Sequence, residues 1–406
     1  MELSQSRPAY TIPSYSLTGD LLAYLNCGLQ YRYQNRGALP PSTPVQLWFG
    51  EFIHAVMEES YLRWAYAPSL KNFPWDYSTV IRPVELEIFR RLRAAGLQAP
   101  FNLFCPAGAT SSTPRCTCGD PTRDNHKLLA SRRAEALINM WGAHLFPLIS
   151  KAEVNVRCIR PMPLSPPRRA DYYEVSGTID VLGAVEIATA PAGNLLIDRI
   201  KDVRESATAV GSLSGGNYEI ILDYKGMRRP ATDSLSWKHF TWQVHTYTWL
   251  RSQQADAVPV VAALLLFVNE LVPSAEDMAQ LQHDLKSGVS DIVPSPRDED
   301  LINAWRPRMP VPALSPTFRE QRSLRVVSVD TGDIQDSLNR FDDVVVDIER
   351  SVQSEMSGGS VIDAWRARPS GAAYSSPEAR LCTACDHKHY CPLASKVGYG
   401  KPPLAP

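Results

Sequence analysis

The sequence has no apolar run long enough to cross a bilayer. Its longest candidate, Val260 to Val268, falls well short of the roughly 18 residues that a spanning helix needs. It has no surplus of either charge: 42 basic residues against 43 acidic ones leave a net charge of −1. Nucleic-acid-binding chains usually carry a basic excess, so any such role here has to be confined to a local groove. Eight cysteines among 406 residues are too few for a disulfide framework. In a reducing compartment, clustered cysteines more often bind metal. The first residues, Met-Glu-Leu-Ser-Gln-Ser, lack a basic start followed by an apolar stretch. No secretory signal or membrane association is therefore expected, and a cytoplasmic location is. No G-x-x-x-x-G-K-S/T phosphate loop and no internal repeat occur. What remains, 44% hydrophobic and 21% charged residues, is the composition of an ordinary folded chain.

What is present is a spaced series of short motifs. The apolar run Tyr218-Glu219-Ile220-Ile221-Leu222 ends in Asp223-Tyr224-Lys225. Side chains alternate faces along a strand, so Asp223 and Lys225 point the same way. Upstream, Gly177-Thr178-Ile179-Asp180 follows the strand-like run Tyr172 to Ser176. Further upstream, Gly50-Glu51-Phe52-Ile53-His54 heads an amphipathic helix. Downstream, Gln243-Val244-His245-Thr246-Tyr247 lies in another helix, where Gln243 and Tyr247 share a face.

In this order, G-x-x-x-H, G-x-x-D, D-x-K and Q-x-x-x-Y, the series resembles the PD-(D/E)XK nuclease superfamily. Within it, the match is to the RecB-like branch, with the nuclease domains of bacterial recombination helicase-nucleases and CRISPR-associated RecB-like exonucleases. The resemblance implies an α/β fold: a restriction-endonuclease-like mixed central sheet flanked by helices, with a helical N-terminal region and a cysteine-bearing C-terminal tail. It implies Mg2+ or Mn2+ held by Asp180, Asp223 and the backbone carbonyl of Tyr224, with the imidazole of His54 favouring Mn2+. Phosphodiester cleavage needs an activated water and neutralisation of charge on phosphorus, which carboxylate-held divalent ions supply. Asp180, Asp223, Lys225, Gln243 and Tyr247 are then the catalytic residues, and Lys225 positions the water or stabilises the transition-state charge. Glu153 begins the first sheet strand, where several members carry a glutamate, and is left outside the ligand set. Arg228 and Arg229 closely follow the lysine and are candidates for holding phosphates of DNA.

Seven of the eight cysteines fall into two groups, and Cys158, within an expected strand, reads as a buried apolar residue. Cys382, Cys385 and Cys391 form a C-x2-C-x5-C stretch, and Cys27 stands alone near the N-terminus. This arrangement is similar to the iron–sulfur staple of AddB-type and CRISPR-associated members, which implies a [4Fe–4S] cluster joining the two chain ends. Zinc is the alternative, with His387 or His389 replacing Cys27. The second group, Cys105, Cys116, Cys118 and His126, offers three sulfurs and a nitrogen in a Pro- and Ser-rich stretch. It reads either as a zinc site or as free cysteines.

Three divisions are expected: 1–150, helical, with the first cluster cysteine, the His54 motif and the cysteine-rich loop; 151–275, the nuclease core; and 276–406, an irregular segment, a helix and the cysteine tail. Strands are expected near 152–158, 172–176, 178–185, 194–199, 218–224 and 260–268. Residues 186–217 read as an inserted hairpin or flexible loop, and the proline-bearing 285–322 as irregular. The function implied is a metal-dependent DNA nuclease, an exonuclease or single-strand-preferring enzyme of repair, recombination or defence. Any strand separation must come from a helicase or complex partner, or from substrate that is already single-stranded. The alternatives are a non-catalytic DNA-end-binding subunit of a repair or CRISPR-adaptation complex, and a redox protein centred on the cluster.

Overall fold

Gly177 does not divide its segment into two strands: Tyr172–Glu186 is one continuous strand, and it is the hub of the sheet. The computed structural model describes residues 12–36, 45–107, 126–164, 169–213 and 216–367, together with 382, 385, 387, 388 and 391. Among the described residues the sheet has six strands: β1 (Ser14–Ser16), β2 (Ile149–Pro161), β3 (Tyr172–Glu186), β4 (Asn217–Lys225), β5 (Val260–Phe267) and β6 (Leu324–Ser328). Their order is β1-β3-β4-β5-β6, with β2 also pairing with β3. β3 is parallel to β1 and antiparallel to β2 and β4, β4 is parallel to β5, and β6 closes the sheet antiparallel to β5. The architecture is a mixed α/β sheet flanked by helices.

The two central strands are apolar on both faces, as strands covered from both sides must be. Ile220, Leu222, Leu264 and Leu266 join one buried cluster with the helices Val45–Tyr66, Arg82–Ala94 and Leu129–Leu145. Ile221, Ala263, Leu265 and Phe267 join a second cluster on the opposite face, with the helices Leu235–Ser252 and Thr331–Met356. The D-x-K tripeptide at the end of β4 is therefore held between two packed layers.

Several expected elements differ. The stretch 194–199 is not a strand. Asn194 caps a helix, Leu195–Asp202, its side-chain oxygen accepting from the Leu196 and Ile197 N–H groups. A second helix, Arg204–Gly211, follows, so 186–217 is mainly helical. Within 285–322, Pro296 and Pro316 each open a helix, Pro296–Ala304 and Pro316–Ser323, where a missing N–H costs nothing. Asp298 is fully buried and accepts from Ser315 N at 2.8 Å and from both capping serines, tying the two helix starts together. Residues 15–35, expected as one helix carrying Cys27, begin in β1 and continue as short helical segments that break at Cys27. The sheet takes β1 and β6 from outside the expected core of 151–275. No helix among the described residues is long and apolar enough to cross a membrane.

Candidate functional site

The end of β4 places Asp223 and Lys225 on one side and Tyr224 on the other. Lys225 Nζ lies 2.6 Å from Asp223 Oδ2 and donates to Gln243 Oε1 at 2.7 Å. Gln243 in turn donates to the Tyr247 hydroxyl at 3.1 Å. Ser234 caps the helix that carries both residues, its hydroxyl accepting from Trp237 N. The tyrosine ring explains the glycine of G-x-x-D: a Cβ on Gly177 would stand 2.5 Å from Tyr247 Cε1. Four of the expected catalytic residues thus form one chain of contacts from β4 through the helix back to β3.

The other side is built by the helix Val45–Tyr66. His54 Nε2 lies 3.2 Å from the carbonyl oxygen of Tyr224 and 3.6 Å from Asp180 Oδ2. Its Nδ1 is 3.9 Å from Glu153 Oε1. Asp180 Oδ2 also accepts from the Tyr224 N–H at 2.9 Å. Ligand atoms of His54, Glu153 and Asp180 lie within 4.8 Å of one another. Asp223 is not in this group, its carboxylate being turned to Lys225. Glu153, set aside in the sequence, takes the place expected for it.

Glu153 has φ 49°, in the left-handed region that β-strand residues avoid. It stands with Asp180 between the register pairs Ala152↔Val181 and Val154↔Ile179. Ordinary alternation fails here: Ile179 and Val181, two apart, pack in clusters on opposite faces of the sheet. The backbone irregularity sits where both carboxylates enter one cleft of about 710 Å³.

Negative charge is crowded at that point. Burial, then the neighbouring Asp223 carboxylate, pushes Asp180 well above the usual carboxylate range, against the pull of Lys225 and the Tyr224 N–H. Burial, then Glu58, Glu51 and Asp223, also raises Glu153. Burial lowers His54, outweighing the pull of Asp223, so its imidazole favours the neutral form. A neutral imidazole, carboxylates and a carbonyl oxygen form a donor set that suits a divalent cation.

Arg228 and Arg229 are engaged within the protein. Arg228 pairs with Asp284 at 2.7 Å. Arg229 is buried, and its guanidinium donates to Asp291 and to the carbonyls of Gln321, Arg322 and Leu324.

The iron–sulfur expectation is overturned. Among the described residues the one group of potential metal ligands with converging atoms is His54, Glu153 and Asp180. Cys27, Cys382, Cys385 and Cys391 form no such group among the described residues; all four are half-buried and none is in a disulfide. Cys27 ends one short helix, and its sulfur accepts from Gln30 N at 3.4 Å in the next. Burial raises the Cys382 thiol and, against the His387 backbone hydrogen bond, pushes Cys385 up to about 11, with smaller contributions from the other cysteines. The redox reading built on the cluster falls with it. His387 is buried beside the Tyr33 ring, and His389 lies outside the described residues. Of the expected zinc ligands, Cys116 and Cys118 also lie outside them. Cys105 is buried with its sulfur 3.3 Å from His126 Nδ1, and no third ligand joins that pair among the described residues.

Compared with known proteins, the chain matches no protein-family model and no curated protein.

Proposed function

We propose that this chain is a divalent-metal-dependent nuclease that hydrolyses phosphodiester bonds in DNA. It is an exonuclease with a preference for single strands, on a restriction-endonuclease-like version of the mixed sheet and related to the RecB-like branch. The convergence of His54, Glu153 and Asp180 beside the Asp223–Lys225 pair carries the reading. His54 Nε2 stands 3.2 Å from the Tyr224 carbonyl oxygen and 3.6 Å from Asp180 Oδ2, close enough for these donors to share one ion. His54, Asp180, Glu153 and the Tyr224 carbonyl would hold the ion. When bound, it neutralises charge on the phosphate and makes a coordinated water more acidic.

The protein's own groups prepare the rest. An ammonium has three donors; one on Lys225 is given to Gln243, and the charge stands 2.6 Å from Asp223 Oδ2, which accepts no hydrogen bond among the described residues. A further donor is left for a water or a phosphate oxygen. Gln243 fixes that direction because Tyr247 anchors its amide from behind. Burial raises the Tyr247 phenol, with Asp223 adding to it, so the hydroxyl stays protonated and serves as an anchor rather than a base.

The test is cleavage of end-labelled single- and double-stranded oligonucleotides with Mg2+ or Mn2+. Wild type is set beside Asp180→Asn, and Mn2+ binding is followed by electron paramagnetic resonance. The variant is expected to lose activity on the order of a hundredfold and to bind Mn2+ more weakly. Undiminished cleavage by the variant, or a wild type that cuts neither substrate with either ion, would overturn the proposal.

A further inference from the structure

The cleft extends beyond the carboxylates. Between 154 and 161 on β2 and between 172 and 179 on β3 the ladder is regular, with Asn155 opposite Thr178 and Arg157 opposite Ser176. Directly opposed residues share a face, and these four line the same cleft as Asp180 and Lys225. From Asp180 to Ser176 the strand covers about 13 Å. Beyond the metal-site carboxylates the face carries one fixed charge of each sign: Glu174, opposite Ile159, accepts from the Ser14 hydroxyl at 2.9 Å, and Arg157 is the cation, while Asn155 accepts from the Thr178 hydroxyl at 2.9 Å.

Arg157 differs from neighbouring arginines. Arg160 pairs with Asp342, Arg169 with Glu349 and Arg251 with Glu219. Arg157 is exposed, its backbone carbonyl accepts from Gln254, and its guanidinium has no partner among the described residues. Next to it on the same face stand Ile159, 59% exposed, and beyond that Tyr172, 54% exposed. A free guanidinium followed by exposed apolar and aromatic surface is the pairing by which proteins hold one strand, phosphate on the cation and base on the ring.

We propose that this face of β2 and β3 is the track of a single DNA strand, and that Arg157 anchors a backbone phosphate away from the bond to be cut. The assignment rests on the nuclease reading and adds to it a substrate path and a residue that sets affinity for the strand.

The test is fluorescence anisotropy with labelled oligodeoxythymidylate, Ca2+ replacing Mg2+, over a series of salt concentrations. Cleavage with Mg2+ or Mn2+ is run alongside. Arg157→Gln is expected to raise Kd roughly tenfold, the loss of one charged hydrogen bond. It should also flatten the salt slope by about 0.7, the release of one counterion site on a single strand. Arg157→Lys should restore the slope. A scan replacing each phosphate with a neutral methylphosphonate should find one position that weakens wild type and leaves the variant unchanged. Equal affinity and slope for wild type and Arg157→Gln would overturn the anchor, and wild-type cleavage would leave the nuclease reading standing. Duplex bound as tightly as single strand would overturn the track. A wild type that neither binds nor cuts DNA would overturn both.

Discussion

Replacing Gly177 with alanine tests the contact that joins β3 to the helix behind the site. The added Cβ would meet Tyr247 Cε1 at 2.5 Å and Cδ1 at 3.2 Å. Carbon atoms pack best at roughly 3.5–4.0 Å, so the ring or the strand has to give way by about 1 Å. Tyr247 is only 3% exposed and its hydroxyl accepts from Gln243, so moving the ring disturbs that contact. Overpacking of this kind costs about 1–3 kcal/mol. The assay is urea unfolding, in which Gly177→Ala should lower the midpoint without changing the slope. The decisive measurement is a double-mutant cycle. In a Tyr247→Ala background the clash is gone, and Gly177→Ala should cost close to nothing, leaving a coupling of about 1–3 kcal/mol. An alanine that costs nothing in wild type, or costs the same with the ring removed, would refute the reasoning.

Two further outcomes concern buried charge. Burial, outweighing Arg82, Ser131 and Tyr77, pushes the Glu85 carboxyl from its ordinary 4.5 up to about 7. The folded chain then keeps a proton that the unfolded chain releases, so stability is full below pH 4.5 and falls as pH rises to about 7. The total is roughly 3 kcal/mol at 1.36 kcal/mol per unit. Glu85→Gln should flatten the denaturation midpoint across that window, and an unchanged slope would contradict the assignment. The second is the buried pair of Arg251 and Glu219, bidentate at 2.7 and 2.8 Å, which ties the end of the Leu235–Ser252 helix to the start of β4. Arg251→Ala should cost about 3–5 kcal/mol by stranding a buried carboxylate. A loss below about 1 kcal/mol by urea denaturation would show the pair to be dispensable.

The sheet's centre was legible because β4 and β5 are unbroken apolar runs ending at marked positions. The relation between Asp223 and Lys225 followed from strand alternation alone. Proline and small apolar runs misled. Pro296 and Pro316 read as breakers but occupy first helical positions behind capping serines. The apolar Leu195-Leu196-Ile197 read as strand, although Asn194 before it is a strong helix cap. β6 was missed because five residues, buried largely on the strength of β5 beside them, leave little periodic signal. The cysteines misled differently: spacing shows which sulfurs lie close along the chain and nothing of where their atoms point.

Glu153 shows why the site itself was only partly readable. Alternation along Ala152 to Arg157 predicts that Glu153, Asn155 and Arg157 share a face, and all three do line the cleft, but it does not foresee how Glu153 reaches His54. At Glu153 the backbone enters the left-handed region, a conformation that costs on the order of 1–3 kcal/mol when the residue is not glycine. No sequence period encodes such a turn, because it is imposed by the register on either side. Its consequence is local: two acidic side chains from adjacent strands meet His54, and burial, then the Asp223 carboxylate, raises Asp180 above the usual carboxylate range. Strain and charge repulsion at one point both disfavour the folded chain alone. A divalent cation among these carboxylates would offset the repulsion between them, and Mn2+ binding by wild type beside Asp180→Asn is where that balance is measured.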